Sequence, residues 1–288
     1  MKERAEKTSP SLSRRRFLQV ASALGLAHLL TGSEQAQNTP NLPQNPQFKA
    51  PGQTRHLPRV QAAYTFFTLP EARFVEAAVS RLIPADDLGP GALETGVAYF
   101  IDQQLQGKFG LAATWYMQGP WQQGTPEQGY QHPFNPQELY RLCIPAIDMH
   151  AEESKGQVFA DLSVSAQDDL LAALEGEKLE ISPLPQFFLS TFWQILYDNT
   201  MQGFFADPVY GGNDQKAGWR LVGFPGVAAA YRGVMEAYYG RPYQVEPVSL
   251  ADLQAGAALA DESGHAIHRD LATGEILSVH PESFKHEH

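Results

Sequence analysis

Between residues 66 and 238 apolar side chains recur at three- and four-residue intervals, and almost no segment alternates with the period of two that a half-buried strand requires. Thr68 and Glu71 form a capping box ahead of Phe74, Ala78 and Leu82, which share one line of helix surface beside Val75, Val79 and Ile83. Pro70 fits the first turn of that helix and Pro84 ends it. Val97, Ile101 and Leu105 repeat the pattern within residues 92–106. Asn135-Pro136-Gln137-Glu138 is a second capping box, opening a helix that carries Leu139, Leu142, Cys143, Ala146 and Ile147, with a kink expected at Pro145. Ser165 through Asp168 should open a third capped helix bearing Leu170, Leu171 and Leu174. The segment "PQFFLSTFWQILYDNTMQGFF" fits a mostly buried helix. Val227, Tyr231, Val234 and Tyr238 make a last stripe, ended by Gly240. The pattern predicts a mainly α fold, a single compact helical domain over residues 64–242 with long, irregular, aromatic-rich loops.

Two of those loops stand out. Residues 114–134 ("TWYMQGPWQQGTPEQGYQHPF") are loaded with Trp, Tyr, Gly and Pro. Residues 203–226 contain two turns, at Asp207-Pro208 and Gly211-Gly212-Asn213, punctuated by Phe204, Phe205, Tyr210, Trp219 and Phe224. Such a loop either pins itself with its own aromatics or offers a rigid platform to another protein, since Trp, Tyr and Arg dominate interface centres. The second alternative nominates Trp115, Trp121, Tyr130, Asp207, Tyr210, Gly211, Gly212, Asn213, Trp219 and Arg220 as contact residues.

The flanks differ in character. Residues 37–63 are rich in Pro, Gln and Asn and poor in aliphatics, and are expected to be a linker without a packed core. Residues 243–288 form a polar tail, with a short helical stretch near Leu250–Leu259 and a hairpin about Thr273-Gly274. The first 36 residues parse as a signal peptide: a basic head, an apolar stretch from Phe17 to Leu30, and a polar end. That stretch is shorter than the roughly 18 residues a spanning helix needs. Ser13-Arg14-Arg15-Arg16-Phe17-Leu18-Gln19 resembles the twin-arginine export consensus through Arg14, Arg15, Phe17 and Leu18. Ala36 is the candidate last residue of the peptide, although Glu34 stands where a small residue is preferred. An exported, folded cargo and a periplasmic location are therefore expected.

Charge and chemistry narrow the function. The chain carries 21 basic and 32 acidic side chains. Six of the basic and three of the acidic ones lie in the first 36 residues, which leaves 15 against 29, a net of −14. So acidic a body does not suit nucleic acid or anionic membrane. Cys143 is alone, which excludes an internal disulfide, a thiolate cluster and a CxxCH haem attachment, and its apolar position suggests a core thiol. Dinucleotide, phosphate-loop, nucleophile-elbow and HExxH patterns are all missing from the sequence. Weaker candidates remain. His150 could be a core histidine or a general base, and His265, His268, His280, His286 and His288 a solvated tail or a metal site. Asp86 and Asp87 precede Gly89-Pro90-Gly91 and suit a turn better than a calcium site. An autonomous periplasmic enzyme or metal-binding protein using His150 or the tail thus stays open as an alternative, and a plain solute-binding module ranks behind it.

"LIPADDLGPGALETGVAYFIDQQL", "DPVYGGN" and the following "GWRLVGFPG" give the chain, over about residues 65–240, a resemblance to the gluconate 2-dehydrogenase subunit 3 family. The resemblance implies a non-catalytic small, or gamma, subunit of a membrane-associated sugar or polyol dehydrogenase. It implies no cofactor, catalytic residue or metal ligand in this chain. FAD is expected in a glucose–methanol–choline-type large subunit, and haem c in a multihaem cytochrome subunit. The small subunit would carry the twin-arginine signal for a flavoprotein that must load FAD before export. The complex would sit at the periplasmic face of the inner membrane.

Overall fold

In the computed structural model, which describes residues 63–121, 124–227, 235, 238–240, 242–256, 268–270, 273–274 and 276–277, the capping boxes lie where the sequence puts them. The leader, the linker and most of the stripe from Val227 to Tyr238 lie outside the described residues. Helix α1 (Leu69–Leu82) starts at Thr68, whose backbone N–H donates to Glu71 Oε2 at 2.8 Å, and buries Phe74, Val75, Ala78, Val79 and Leu82. Helix α2 (Val97–Gln106) begins after Gly96, which holds a left-handed φ of 78°. Helix α3 (Pro136–Lys155) is opened by reciprocal 2.9 Å bonds between Asn135 and Glu138, and runs as one helix across Pro145. Its buried line is Leu139, Tyr140, Cys143, Ile144, Ile147 and Ala151. Leu142, expected on that line, falls off it and faces outward.

Helix α4 (Val164–Glu175) is capped by Ser163, two residues ahead of the expected Ser165, and buries Leu170, Leu171 and Leu174. The shift leaves Gln167 pointing inward, where its amide donates to the Phe159 and Ala160 carbonyls. Helix α5 (Gln186–Phe205) is the axle: it touches α1, α2, α3 and α4, and then the short α6 (Ala217–Val222). A helix apolar on most sides can be stable only when neighbours surround it, and this is how α5 is placed. Phe188, Leu189, Phe192, Ile195, Leu196 and Phe204 join the α1–α4 residues in a single core. At its centre Tyr140 accepts a 3.2 Å bond from the Asn199 amide. Cys143 is buried, donates weakly to the Phe188 carbonyl, and has its thiol pushed up to about 12 by burial, which makes it inert as a nucleophile.

Two anchors frame this body. On α2, the fully buried Asp102 carboxylate accepts the backbone N–H groups of Thr65, Phe66 and Phe67 at 2.8–2.9 Å. Arg141 stacks over the Phe66 ring and bonds its carbonyl. The chain preceding α1 is thereby clamped to α2 and α3. At the other end, residues 243–256, which the sequence presents as the start of a polar tail, run back over the 203–226 loop. Val245 and Val248 are buried, Val227 N–H donates to the Val248 carbonyl at 2.7 Å, and Val248 N–H donates to Pro225 at 3.1 Å. Helix α7 (Leu250–Gln254) follows, and the hairpin about Thr273-Gly274 forms through β1 (His268–Arg269) and β2 (Ile276–Leu277).

Candidate partner-binding surface

The 203–226 loop is built from close backbone contacts. A Cβ on Gly212 would sit 2.3 Å from the Gly203 carbonyl oxygen, and one on Gly218 would sit 2.1 Å from that of Phe204, so α5 and the loop meet only because both positions are glycine. Asn213 takes a left-handed φ of 50°, which Asn tolerates better than most residues. Its amide donates to the Ala206 carbonyl and its oxygen accepts from Gly218 N–H, both at 2.8 Å. Asp207 caps Val209 N–H with one oxygen and accepts Leu250 N–H with the other. Trp219 donates its indole N–H to the Phe205 carbonyl at 2.7 Å and meets Phe224 edge-on. Arg220 pairs with Glu246, and Lys216 with Asp252 at 2.8 Å. Burial raises the Asp252 carboxyl pKa, but the bonds from Lys216 and Ser249 outweigh it and hold the group below its usual range.

These contacts correct the expected interface. Gly211, Gly212, Asn213 and Trp219 are buried, and Asp207 and Arg220 spend their polar atoms on neighbouring segments of the same chain. Their shared task is to fold the loop onto α5. Of the seven residues nominated there, Tyr210 remains well exposed, at 56%.

The other loop is arranged differently. Gln137 ties it to the body, its N–H donating to Gly110 and its amide to the Leu105 carbonyl. From there a run of rings crosses the surface: Phe109 to Trp115 at 5.6 Å between centroids, Trp115 to Tyr130 at 4.8 Å, Tyr130 to His132 at 5.8 Å, and His132 to Phe187 of α5 at 5.1 Å. Edge-to-face and tilted pairs of this kind hold large side chains rigidly at little further entropic cost. Trp115, Trp121 and Tyr130 are half-buried, whereas Leu111, Tyr116 and Phe187 are at least half exposed. His132 is buried among Tyr130, Phe134, Phe187 and Phe188, and burial lowers its pKa. Phe134 N–H donates to its Nδ1 at 3.2 Å, so the neutral ring carries its proton on Nε2, and that atom has no partner. The sequence singled out neither His132 nor Phe187. The aromatic density of "GYQHPF" and "PQFF" was the available signal, but one reads as loop and the other as core.

The catalytic alternatives gain no cluster. His150 lies half-buried near the end of α3. Among the described residues, no group of three or more His, Cys, Asp or Glu is placed to hold a metal ion. His268 is buried with Nδ1 2.9 Å from the Tyr243 hydroxyl, while His265, His280, His286 and His288 lie outside the described residues. Asp86 accepts from Leu88 N–H and closes the turn at Gly89, as a turn former should. No helix among the described residues is long and apolar enough to cross a membrane.

The family model for gluconate 2-dehydrogenase subunit 3 matches residues 70–226, which run from the first turn of α1 to the end of the glycine-rich loop. No curated protein and no solved structure matches the chain. With over half its length matched, through both aromatic loops and the helices that carry them, the chain belongs to the gluconate 2-dehydrogenase subunit 3 family.

Proposed function

We propose that this chain is the non-catalytic small subunit of a FAD-dependent dehydrogenase acting on gluconate, sugars or polyols. In this reading it binds and stabilises the flavoprotein subunit and carries it into the periplasm on its own twin-arginine signal. The family match over residues 70–226 is the observation that carries the reading, because a third subunit works with others. The N-terminal sequence supports the export half: Arg14, Arg15, Phe17 and Leu18 head an apolar run too short to anchor a helix in a bilayer. The flavin partner, of the glucose–methanol–choline type, loads FAD before export and travels folded. A multihaem cytochrome c subunit takes the electrons onward.

Two measurements test the parts separately. A tagged full-length chain purified from its own host should bring down a polypeptide with flavin absorbance, identified by mass spectrometry as that type of dehydrogenase. Changing Arg14 and Arg15 together to lysine should strand both subunits in the cytoplasm. A flavoprotein that still reaches the periplasm beside the double-lysine variant ends the escort role. A wild-type chain that brings down no dehydrogenase ends the subunit role as well.

A further inference from the structure

The two aromatic loops are not equivalent, and the difference singles out one of them. In the 203–226 loop the polar and aromatic groups are engaged within the chain, and ion pairs from Lys216 and Arg220 lace its edge. In the 109–134 loop the rings are braced from beneath and open above: Leu111 is 56% exposed, Tyr116 77% and Phe187 50%. The charge pattern is as uneven. The chain carries a net −11, yet residues 109–134 contain Glu127 and no other Asp, Glu, Lys or Arg. Beside Phe187, moreover, two buried donors, His132 Nε2 and Gln186 Nε2, have no acceptor. A buried donor without a partner is costly, and a surface that is complete by itself does not usually retain two.

We infer that the patch formed by Leu111, Trp115, Tyr116, Tyr130 and Phe187 is the docking surface for the flavoprotein subunit. The inference rests on the reading above and names the surface that reading needs. Charge chooses the occupant. An anionic bilayer would be repelled by the acidic body and would find no basic anchor among residues 109–134. A second copy would bring two strongly acidic chains together, again at electrostatic cost. A less acidic protein face fits: apolar side chains to cover Tyr116 and Phe187, with main-chain carbonyls at the margin for the unspent donors. Exposed, pre-braced aromatics are the side chains that contribute most to such contacts, because they lose little freedom on binding.

The test uses the full-length chain and the FAD-containing polypeptide that co-purifies with it. Tyr116→Ala combined with Phe187→Ala should weaken the complex by roughly 30-fold or more, read as Kd by titration of flavin-loaded partner. Leu111→Glu, a second route to the same end, should act in the same direction. Tyr210→Ala, on the other loop, should leave Kd within about twofold. Thermal unfolding of each variant, unchanged from wild type, keeps the comparison to binding. If Tyr210→Ala weakens the complex while the double variant does not, the surface is wrongly assigned although the subunit reading stands. If the wild-type chain instead self-associates through the patch, or binds phosphatidylglycerol vesicles through it, the occupant is wrong. If it takes up no dehydrogenase at all, this inference falls together with the reading beneath it.

Discussion

Asp102 shows how much a single buried group can organise. Its carboxylate is enclosed, and the three backbone donors it accepts belong to the segment that leads into α1. Asp102→Ala should leave those donors unpaired and cost about 3 kcal/mol, more than a neutral hydrogen bond because the acceptor is charged. A urea midpoint unchanged by that substitution would show the clamp to be incidental. The buried histidines act through pH. Burial lowers the pKa of His132 and of His268, so both stay neutral when folded while the unfolded chain protonates near pH 6.5. The titratable groups bearing on the His132 cage are Tyr130, and through it Glu138 and Cys143; burial raises the Tyr130 phenol far out of the titrating range. A depressed folded-state pKa means that stability is full above about pH 6.5 and is lost as pH falls below it. Denaturation at pH 7.5 and pH 5.5 should show that loss. His132→Phe, which suits the ring cage, should remove part of it, whereas an equal loss in wild type and variant would assign the effect elsewhere.

The glycine-rich loop belongs to the scale of the element. Gly218→Ala would drive a methyl against the Phe204 carbonyl, and backbone cannot yield as a side-chain tip can. The expected cost is about 2–3 kcal/mol with loss of the α5–α6 contact, seen as a lower Tm and a red-shifted Trp219 emission. An unchanged spectrum would mean the loop can stand off from α5. This element also marks the limit of what sequence discloses. Helices α1 and α3 were readable to within a residue, because capping boxes and apolar stripes are local rules. The start of α4 was missed by two residues because Ser163 and Ser165 offer the same chemistry to the same helix, and only the inward turn of Gln167 separates them. "DPVYGGN" was legible as a turn but not as an internal joint. The reason for its glycines is the α5 backbone, which approaches from outside the motif. Burial of Trp219 and exposure of Phe187 were likewise undecidable from residue type, since either aromatic suits core or contact.

For the molecule as a whole, the family match ends at Gly226, yet the fold continues through Val245 and Val248, which lie over the loop that the match contains. Magnitudes say what holds this return segment. Each buried valine contributes about 1.5–3 kcal/mol. The partly exposed pairs of Lys216 with Asp252 and Arg220 with Glu246 add about 0.2–1 kcal/mol apiece. Val248→Asp should therefore loosen the segment by about 2–4 kcal/mol, since it places an unpaired carboxylate where a methyl pair is buried. Lys216→Ala should be nearly silent by comparison. Acrylamide quenching of Trp219 would report the opening, and equal quenching in wild type and Val248→Asp would show the segment to be dispensable cover. The same variant separates the two faces of the protein. The rings from Phe109 to Phe187 are braced by α2, α3 and α5. They do not depend on Val248, so a flavoprotein docked on them should keep its affinity when the return segment loosens. A partner seated on the glycine-rich loop should lose affinity in step with the quenching.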